Sequence, residues 1–389
     1  MRIIYIHQYY LTPREGGAIR SYHLSKGMAA AGVEVEVITA HNAPDYKCVA
    51  FDGVKVHYLP VPYDNAFGVL KRMGAFYAFV RKAKALIFQM VKPDLFFITS
   101  TPLTTGIIGL WAKRKWGIPY VFEVRDLWPE APVQLGVIRN LFLKKYLYGL
   151  EEKIYGNAQK IVALSPGIEK YIHKKCREAS IAVIPNFADM DFFQSELANP
   201  DVLELQPEKL TIAYTGAVGK VNGLESYLQL AAEAQKLGKP WQFVLMGKGA
   251  ELSSLKKRSK QLGLLNFHFL SYGDKNAVRD LLAFSDLVYI SFQDLPVLRT
   301  SSPNKFFDAL AMGKPVIVNF KGWLLDMIKQ NDMGNYHDQE DSSKILSYIQ
   351  SLEEDPAMLE RAGKNAERLA ESRFSKKEAV SRLLDFLDS

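Results

Sequence analysis

RTSSPNKFFDALAMGKPVIVN, residues 299–319, begins as a polar loop and ends as a buried strand. Ser301-Ser302-Pro303-Asn304-Lys305 forms the loop. Phe306, Phe307, Leu310 and Ala311 then recur at roughly helical spacing. Gly313-Lys314-Pro315 stops the helix, and Val316-Ile317-Val318 reads as a strand. Serine hydroxyls, unpaired backbone N–H groups and a lysine therefore meet at one helix N-terminus. The macrodipole is positive there, so the place suits an anion. Asp308 lies one turn after Lys305 on the same face. A lysine for phosphate and a carboxylate for hydroxyls suit a nucleotide's diphosphate and ribose. The plain alternative is a surface helix capped by Ser302 or Asn304, with Lys305 solvated.

Outward from that stretch, short β-rich runs alternate with helical patterns. Ile3–Ile6, Glu34–Thr39, Val54–Tyr58, Leu95–Thr99, Tyr120–Glu123 and Lys160–Ala163 read as strands. Ile19–Ala31, Gly68–Val91 and Lys144–Gly156 read as helices between them. A second series starts after Pro207. Its strands are Thr211–Tyr214, Trp241–Met246, Asn266–Phe269, Leu287–Ser291 and Val316–Val318. Its helices include Gly223–Leu237, Glu251–Leu262, Asn276–Ala283 and Asn304–Ala311. Such alternation predicts two doubly wound α/β domains with parallel sheets, sharing a cleft at the carboxyl ends of their strands. Pro185–Glu208, rich in Asp, Asn and Pro, is the expected linker region.

The chain has 389 residues, enough for two ordinary domains, and 48% hydrophobic with 23% charged residues is a globular composition. Cys48 and Cys176 fit no metal or redox spacing, so a reducing compartment is the default. Met1–Ile6 is too short an apolar start for a signal peptide. Leu95–Ala112 is uncharged but broken by Pro102, two glycines and hydroxyl residues, and no membrane-spanning segment is expected. The net charge of +7 is uneven. Residues 1–190 hold 25 Lys and Arg against 15 Asp and Glu, a balance of +10. That basic half suits phosphates, an anionic membrane or nucleic acid.

Three glycine turns follow predicted strands. Thr12–Ala18 carries Gly16-Gly17; Tyr214–Lys220 carries Gly216, Gly219 and then Lys220; Gly247-Lys248-Gly249 follows Phe243–Met246. Glycines at a strand-to-helix turn let backbone N–H groups approach a phosphate without Cβ obstruction. Tight turns with no ligand have the same composition.

Together the two-domain pattern, the glycine loops, Lys220 and SSPNKFFDALAMGKPVI resemble a GT-B glycosyltransferase. The resemblance is to the family-4 retaining enzymes of bacterial surface-polysaccharide synthesis, and EVRDLWPE at 123–130 is similar to that branch. It implies the GT-B fold, two Rossmann-like domains facing a central cleft. The expected parts are an acceptor-binding domain at 1–190, a linker at 191–208, a nucleotide-sugar-binding domain at 209–370, and a C-terminal helix at 371–389 packing back on the first domain. It implies a nucleotide-sugar donor, UDP-linked by family habit, with no cofactor and no metal. Gly16 and Gly17 would face the donor diphosphate and sugar. Lys220 and Lys305 would neutralise the departing diphosphate. Gly216, Gly219, Gly247, Ser301, Ser302 and Asn304 would line the donor, Asp308 would take the ribose hydroxyls, and Ser271-Tyr272-Gly273 would lie near the base. The family usually carries two glutamates eight positions apart; here those positions are Thr300 and Asp308. It often has a His-Asp pair where this chain has Arg125-Asp126, and an arginine stays protonated. Asp126 is a base or an acceptor anchor, or it holds Arg125; Arg125 and Trp128 are acceptor or structural residues.

Ala66–Lys92 has no acidic residue and carries Lys71, Arg72, Arg81 and Lys82 beside an apolar stripe. It reads as a helix packed on the sheet with a solvated basic face, or as an interfacial helix at an anionic membrane. Lys113-Arg114-Lys115-Trp116 could extend the patch. The second reading suits a polyprenyl-diphosphate-linked acceptor and places the protein at the inner face of the bacterial plasma membrane, as a cytoplasmic peripheral enzyme for capsule, O-antigen or exopolysaccharide. Two competing functions are a nucleotide-sugar epimerase on the same fold and a basic nucleic-acid-binding protein. No nucleic-acid recognition module is present to support the latter.

Overall fold

The computed structural model describes residues 1–13, 15, 19–64, 67–194 and 205–389. The chain divides into two compact units, Met1–Pro185 with Lys376–Ser389, and Asn186–Ser375. Both are α/β with Rossmann-like, mainly parallel sheets, as the alternation predicts.

The first unit contains β1 (Arg2–Ile6), β2 (Glu34–His41), β3 (Lys47–Phe51), β4 (Val54–Pro60), β5 (Leu95–Thr99), β6 (Tyr120–Val124), β7 (Lys160–Ala163) and β8 (Ile181–Val183). Their order is β3-β4-β2-β1-β5-β6-β7-β8. The central strands β1, β5 and β6 are almost wholly buried, because helices cover both faces of a parallel sheet. The sequence reading misses β3, which pairs antiparallel with β4 at the edge. A two-residue turn, Asp52-Gly53, joins them with φ of 50° and 76°. Positive φ at both central residues matches the twist of a hairpin. The helix Lys376–Asp388 belongs to this unit. Lys160 Nζ donates to the Phe386 carbonyl at 2.6 Å, and a Cβ on Gly27 would lie 2.4 Å from a Val380 methyl.

The second unit contains β9 (Thr211–Ala217), β10 (Gln242–Lys248), β11 (Phe267–Leu270), β12 (Leu287–Ile290), β13 (Val316–Val318) and β14 (Gly334–Tyr336). The order is β11-β10-β9-β12-β13-β14, with every pair parallel. Ala188 and Phe193, which follow the division, lie in this unit's core with Phe306, Phe307 and Phe374. Residues 195–204 of the expected linker lie outside the described residues.

Each sheet reverses its winding once, between β1 and β5 in the first unit and between β9 and β12 in the second. Carboxyl ends of strands at such a switch point form a natural crevice, because successive loops there diverge to opposite faces.

Candidate functional site

The helix Asn304–Ala311 buries Phe306, Phe307, Ala309, Leu310 and Ala311, which leaves Lys305 and Asp308 on its half-buried face. Pro303 occupies the N-cap position, and no side chain caps the first turn. Neither the Ser302 nor the Asn304 side chain caps the turn, and of its N–H groups that of Phe306 donates to the Pro303 carbonyl at 3.1 Å. Ser302 is instead fixed by Asn186, whose backbone N–H donates to Ser302 Oγ at 3.2 Å and whose Nδ2 donates to the Ser302 carbonyl at 2.6 Å. The Ser301 carbonyl accepts from Trp323 Nε1 at 2.8 Å.

Lys305 reaches the β9 end of the switch point. Its Nζ donates to Tyr214 Oη at 2.7 Å and lies 3.9 Å from the centroid of that ring. Tyr214 Oη in turn donates to the Ala217 carbonyl at 2.6 Å, inside the glycine loop. A Cβ on Gly216, whose φ is 125°, would stand 3.2 Å from Lys305 Nζ. Lysine, tyrosine, glycine loop and uncapped helix end therefore form one constellation. Tyr214 was not among the predicted site residues; it lies inside a strand that reads as core.

Desolvation pushes Lys305 down to about 7, with Asp308 opposing it. Asp308 is pushed up to about 7, by burial first and by Asp189 among its neighbours, while Lys275 and Lys305 draw it down. Lys275 Nζ is itself paired with Asp189 Oδ2 at 2.6 Å. A cation and a carboxyl one turn apart thus both lie near their titration points with no direct hydrogen bond to each other. That is a poised arrangement for an incoming anion and hydroxyls.

Lys220 is exposed, in a short helical turn Lys220–Asn222 one residue beyond Gly219. The backbone N–H of Gly219 is taken by Asn222 Oδ1 at 3.2 Å. Gly247 has a packing reason for being glycine, since a Cβ there would fall 2.0 Å from the Gly216 carbonyl oxygen. Gly247 and Gly216 face each other in the parallel pairing of β9 with β10, and the missing Cβ lets the two strands close up at their carboxyl ends. Lys248 Nζ sits 3.9 Å from the Tyr272 ring centroid and joins the third glycine turn to the Ser271-Tyr272-Gly273 loop. Thr300 Oγ1 donates to the Val297 carbonyl at 2.7 Å and serves its own turn.

In the first unit, the switch point between β1 and β5 gathers His7, Gln8, Arg125 and Asp126. Arg125 donates its backbone N–H to Ser100 Oγ at 3.0 Å, and its Nη1 lies 3.4 Å from His7 Nε2. Burial and Arg125 hold His7 well below the usual imidazole range, so it is neutral. His7 Nδ1 and both polar ends of the buried Gln8 side chain have no hydrogen-bond partner. Sequence reasoning missed both residues, although an abrupt polar pair after an apolar strand was the available signal. Asp126 is exposed, 3.4 Å from Thr101 Oγ1. Trp128 packs edge-on to Phe76. Both glutamates of EVRDLWPE are structural: Glu123 is buried against Arg20 Nε at 2.8 Å and Thr99 Oγ1 at 2.8 Å, and Glu130 accepts from Tyr148 at 2.7 Å. Gly16 and Gly17 lie outside the described residues.

Of the predicted membrane residues, Lys71 and Arg81 are exposed and Arg72 is half-buried. Lys82 is half-buried, and its ammonium donates to the Pro60 carbonyl at 2.7 Å, which ties its helix to β4. Among the described residues, no helix is long and apolar enough to cross a membrane, and no group of three or more His, Cys, Asp and Glu could hold a metal ion.

Residues 15–186 match the profile described as glycosyl transferase 4-like domain, and residues 196–369 match glycosyl transferases group 1. An Escherichia coli K12 protein named for a glycosyl transferase role in colanic acid biosynthesis, WcaI, is 26% identical over 243 residues, 60% of this chain and 58% of that one. The chain spans about half the length of the curated relatives it matches. Among solved structures, sucrose-phosphate synthase from Thermosynechococcus elongatus is 18% identical with a TM-score of 0.80, covering 100% of this chain and 98% of that one. Anabaena Alr3699/HepE, solved in complex with UDP-glucose, is 17% identical with a TM-score of 0.69, covering 100% and 99%. These likenesses show the shared GT-B fold.

Proposed function

We propose that this chain, a GT-B protein made of a glycosyl transferase 4-like domain and a glycosyl transferases group 1 domain, moves a sugar from a nucleotide donor to a lipid-linked or saccharide acceptor in surface-polysaccharide synthesis. The observation that carries the reading is the link from Lys305 through Tyr214 to the glycine loop, beside an uncapped helix end and Asp308. The named role of WcaI supports the polysaccharide setting, and the UDP-glucose complex of the Anabaena protein supports a UDP-linked donor.

In this reading the diphosphate lies against Lys305, the first-turn N–H groups of Asn304–Ala311 and the Gly216–Gly219 loop, with Lys220 free to swing onto it. Asp308 accepts from the ribose hydroxyls. The bond between the anomeric carbon and the β-phosphate oxygen breaks, and negative charge grows on that oxygen. Lys305 and the helix end stabilise this charge more in the transition state than in the bound donor, so they accelerate the step. The acceptor oxygen bonds to the same face of the sugar, with retention, and its proton passes to the departing phosphate. Protein cations carry the charge, so transfer proceeds without a metal. His7, Arg125 and Asp126 offer hydrogen bonds on the acceptor side.

Calorimetric titration with UDP, GDP and UDP-glucose in EDTA tests the donor site. Wild-type protein is expected to bind one nucleotide, and Lys305→Ala to lose both that binding and about 10²-fold or more in kcat while keeping its circular dichroism. Wild-type turnover in the variant would sink the proposed role of Lys305. Nucleotide binding that appears only with added Mg²⁺ would sink metal independence.

A further inference from the structure

The chain leaves the first unit through Ile184 and Pro185 and enters the second at Asn186. One side chain holds both carbonyls before the crossing. Arg20 Nη2 donates to the Ile184 carbonyl at 2.8 Å, and its Nη1 donates to the Pro185 carbonyl. The guanidinium is itself fixed, because Nε donates to Glu123 Oε1 at 2.8 Å and Glu123 Oε2 accepts from Thr99 Oγ1 at 2.8 Å. Arg20 is 3% exposed and Glu123 is fully buried. A buried ion pair is a weak source of net stability, because desolvation of both charges offsets their attraction. What this pair provides is geometry: a planar fork pins two successive carbonyls.

The peptide between Pro185 and Asn186 is therefore held on both of its polar ends. Its carbonyl accepts from Arg20, and its N–H donates to Ser302 Oγ at 3.2 Å. A charged donor on the carbonyl polarises the peptide and strengthens its N–H as a donor. The Asn186 side chain adds a second hold, from Nδ2 to the Ser302 carbonyl at 2.6 Å. Asn186 is 5% exposed, and its Oδ1 has no partner among the described residues. Leaving a buried acceptor unmet is costly, and a turn that only had to pack would avoid it.

These bonds decide what Ser302 has left to offer. Asn186 occupies its carbonyl and one lone pair of its hydroxyl oxygen, and among the described residues the hydroxyl proton goes to no acceptor. A hydroxyl that already accepts is free to donate. The next residue, Pro303, has no N–H, and no side chain caps the first helical turn. Ser302 thus supplies a donor at the entrance to the helix Asn304–Ala311, three residues before Lys305.

We infer that Asn186 is a positioning residue of the donor site: it holds Ser302 so that the hydroxyl donates to an oxygen of the nucleotide's diphosphate. Asn186 acts through Ser302 and does not itself touch the donor. The inference rests on the donor reading given above and adds to it a residue 116 positions from the serine it serves.

Calorimetric titration of the full chain with UDP and with uridine, which lacks the phosphates, tests it. Wild type is expected to bind UDP the more tightly. Asn186→Ala should weaken UDP binding about 10-fold or more and leave uridine binding within about 2-fold, since only the phosphate end loses a partner. Asn186→Asp, which sets a carboxylate oxygen against the Ser302 carbonyl, should lose at least as much. Ser302→Ala should also weaken UDP binding about 10-fold or more, and adding Asn186→Ala to it should cost less than about 3-fold further, because the two residues act through one bond. Equal losses for UDP and uridine would make Asn186 a packing residue and overturn the inference. So would wild-type UDP affinity in both Asn186 variants, or losses that multiply in full in the double variant. Wild type that gains nothing from the diphosphate, or binds neither probe, overturns the donor reading and this inference with it.

Discussion

At the residue scale, Lys305 and Asp308 couple nucleotide binding to protons. Burial disfavours the charge of Lys305 and pushes it down to about 7. A diphosphate restores the preference for the charged form, so binding at about pH 8 should take up close to one proton. Asp308 also titrates at about 7, because burial disfavours the carboxylate. Ribose hydroxyls donating to it favour ionisation, so binding at about pH 6 should release a proton. The two effects have opposite signs and separate in pH: below 7 Lys305 is already charged, and above 7 Asp308 is already ionised. Calorimetry in buffers of different ionisation enthalpy measures both. Lys305→Ala, where it still binds at high nucleotide concentration, should lose the uptake, and Asp308→Asn the release. Uptake and release of equal size in wild type and variants would remove these two residues from the donor site.

At the scale of elements, the glycines separate two uses of one residue type. Gly247 is required because it pairs with Gly216 near the carboxyl ends of β9 and β10, and a Cβ would overlap the Gly216 carbonyl. Gly247→Ala should lower stability by roughly 1–3 kcal/mol through this overpacking and weaken UDP binding, as the loop carrying Gly216 shifts. Gly74 sits inside the helix Val69–Gln89 with open space where its Cβ would be. Gly74→Ala should raise stability by about 0.5–1 kcal/mol, since glycine loses the most backbone entropy in a helix. Urea unfolding of both variants checks the pair; two changes of the same sign would contradict the packing account. The same contrast explains what could be read in advance. Long periodic segments such as Asn304–Ala311 and β5 are legible because burial imposes their pattern. The three-residue strands β8 and β14 bury too little side chain to show one. The edge strand β3 carries exposed Lys47 and Cys48, and only its Asp52-Gly53 turn announced it. Lys305 and Asp308 were legible as a helical pair. Tyr214, His7 and the hold of Asn186 on Ser302 were not, because they depend on contacts between residues 91 to 118 positions apart.

At the scale of the molecule, the chain leaves its first unit at Pro185, builds the second, and returns at Lys376. The returning helix therefore contributes to the stability of residues far from it in sequence. Leu383 is fully buried and Ala379 nearly so, Val380 fills the space left by Gly27, and Lys160 beside β7 holds the Phe386 carbonyl. Leu383→Ala removes buried methyl groups at a place where the surrounding helices collapse only in part, at a cost of about 2–5 kcal/mol. That loss should fall on the first unit. In hydrogen exchange, amides of the helix Arg20–Ala30 and of β7 should lose protection by about 30-fold or more, while those of β9, β10 and β13 keep theirs. Truncation after Ser375 should produce the same distribution with a larger loss. If β9 and β13 lose protection to the same degree as Arg20–Ala30, the two units unfold as one cooperative body, and the last helix is a brace for the entire chain instead of a part of the first unit.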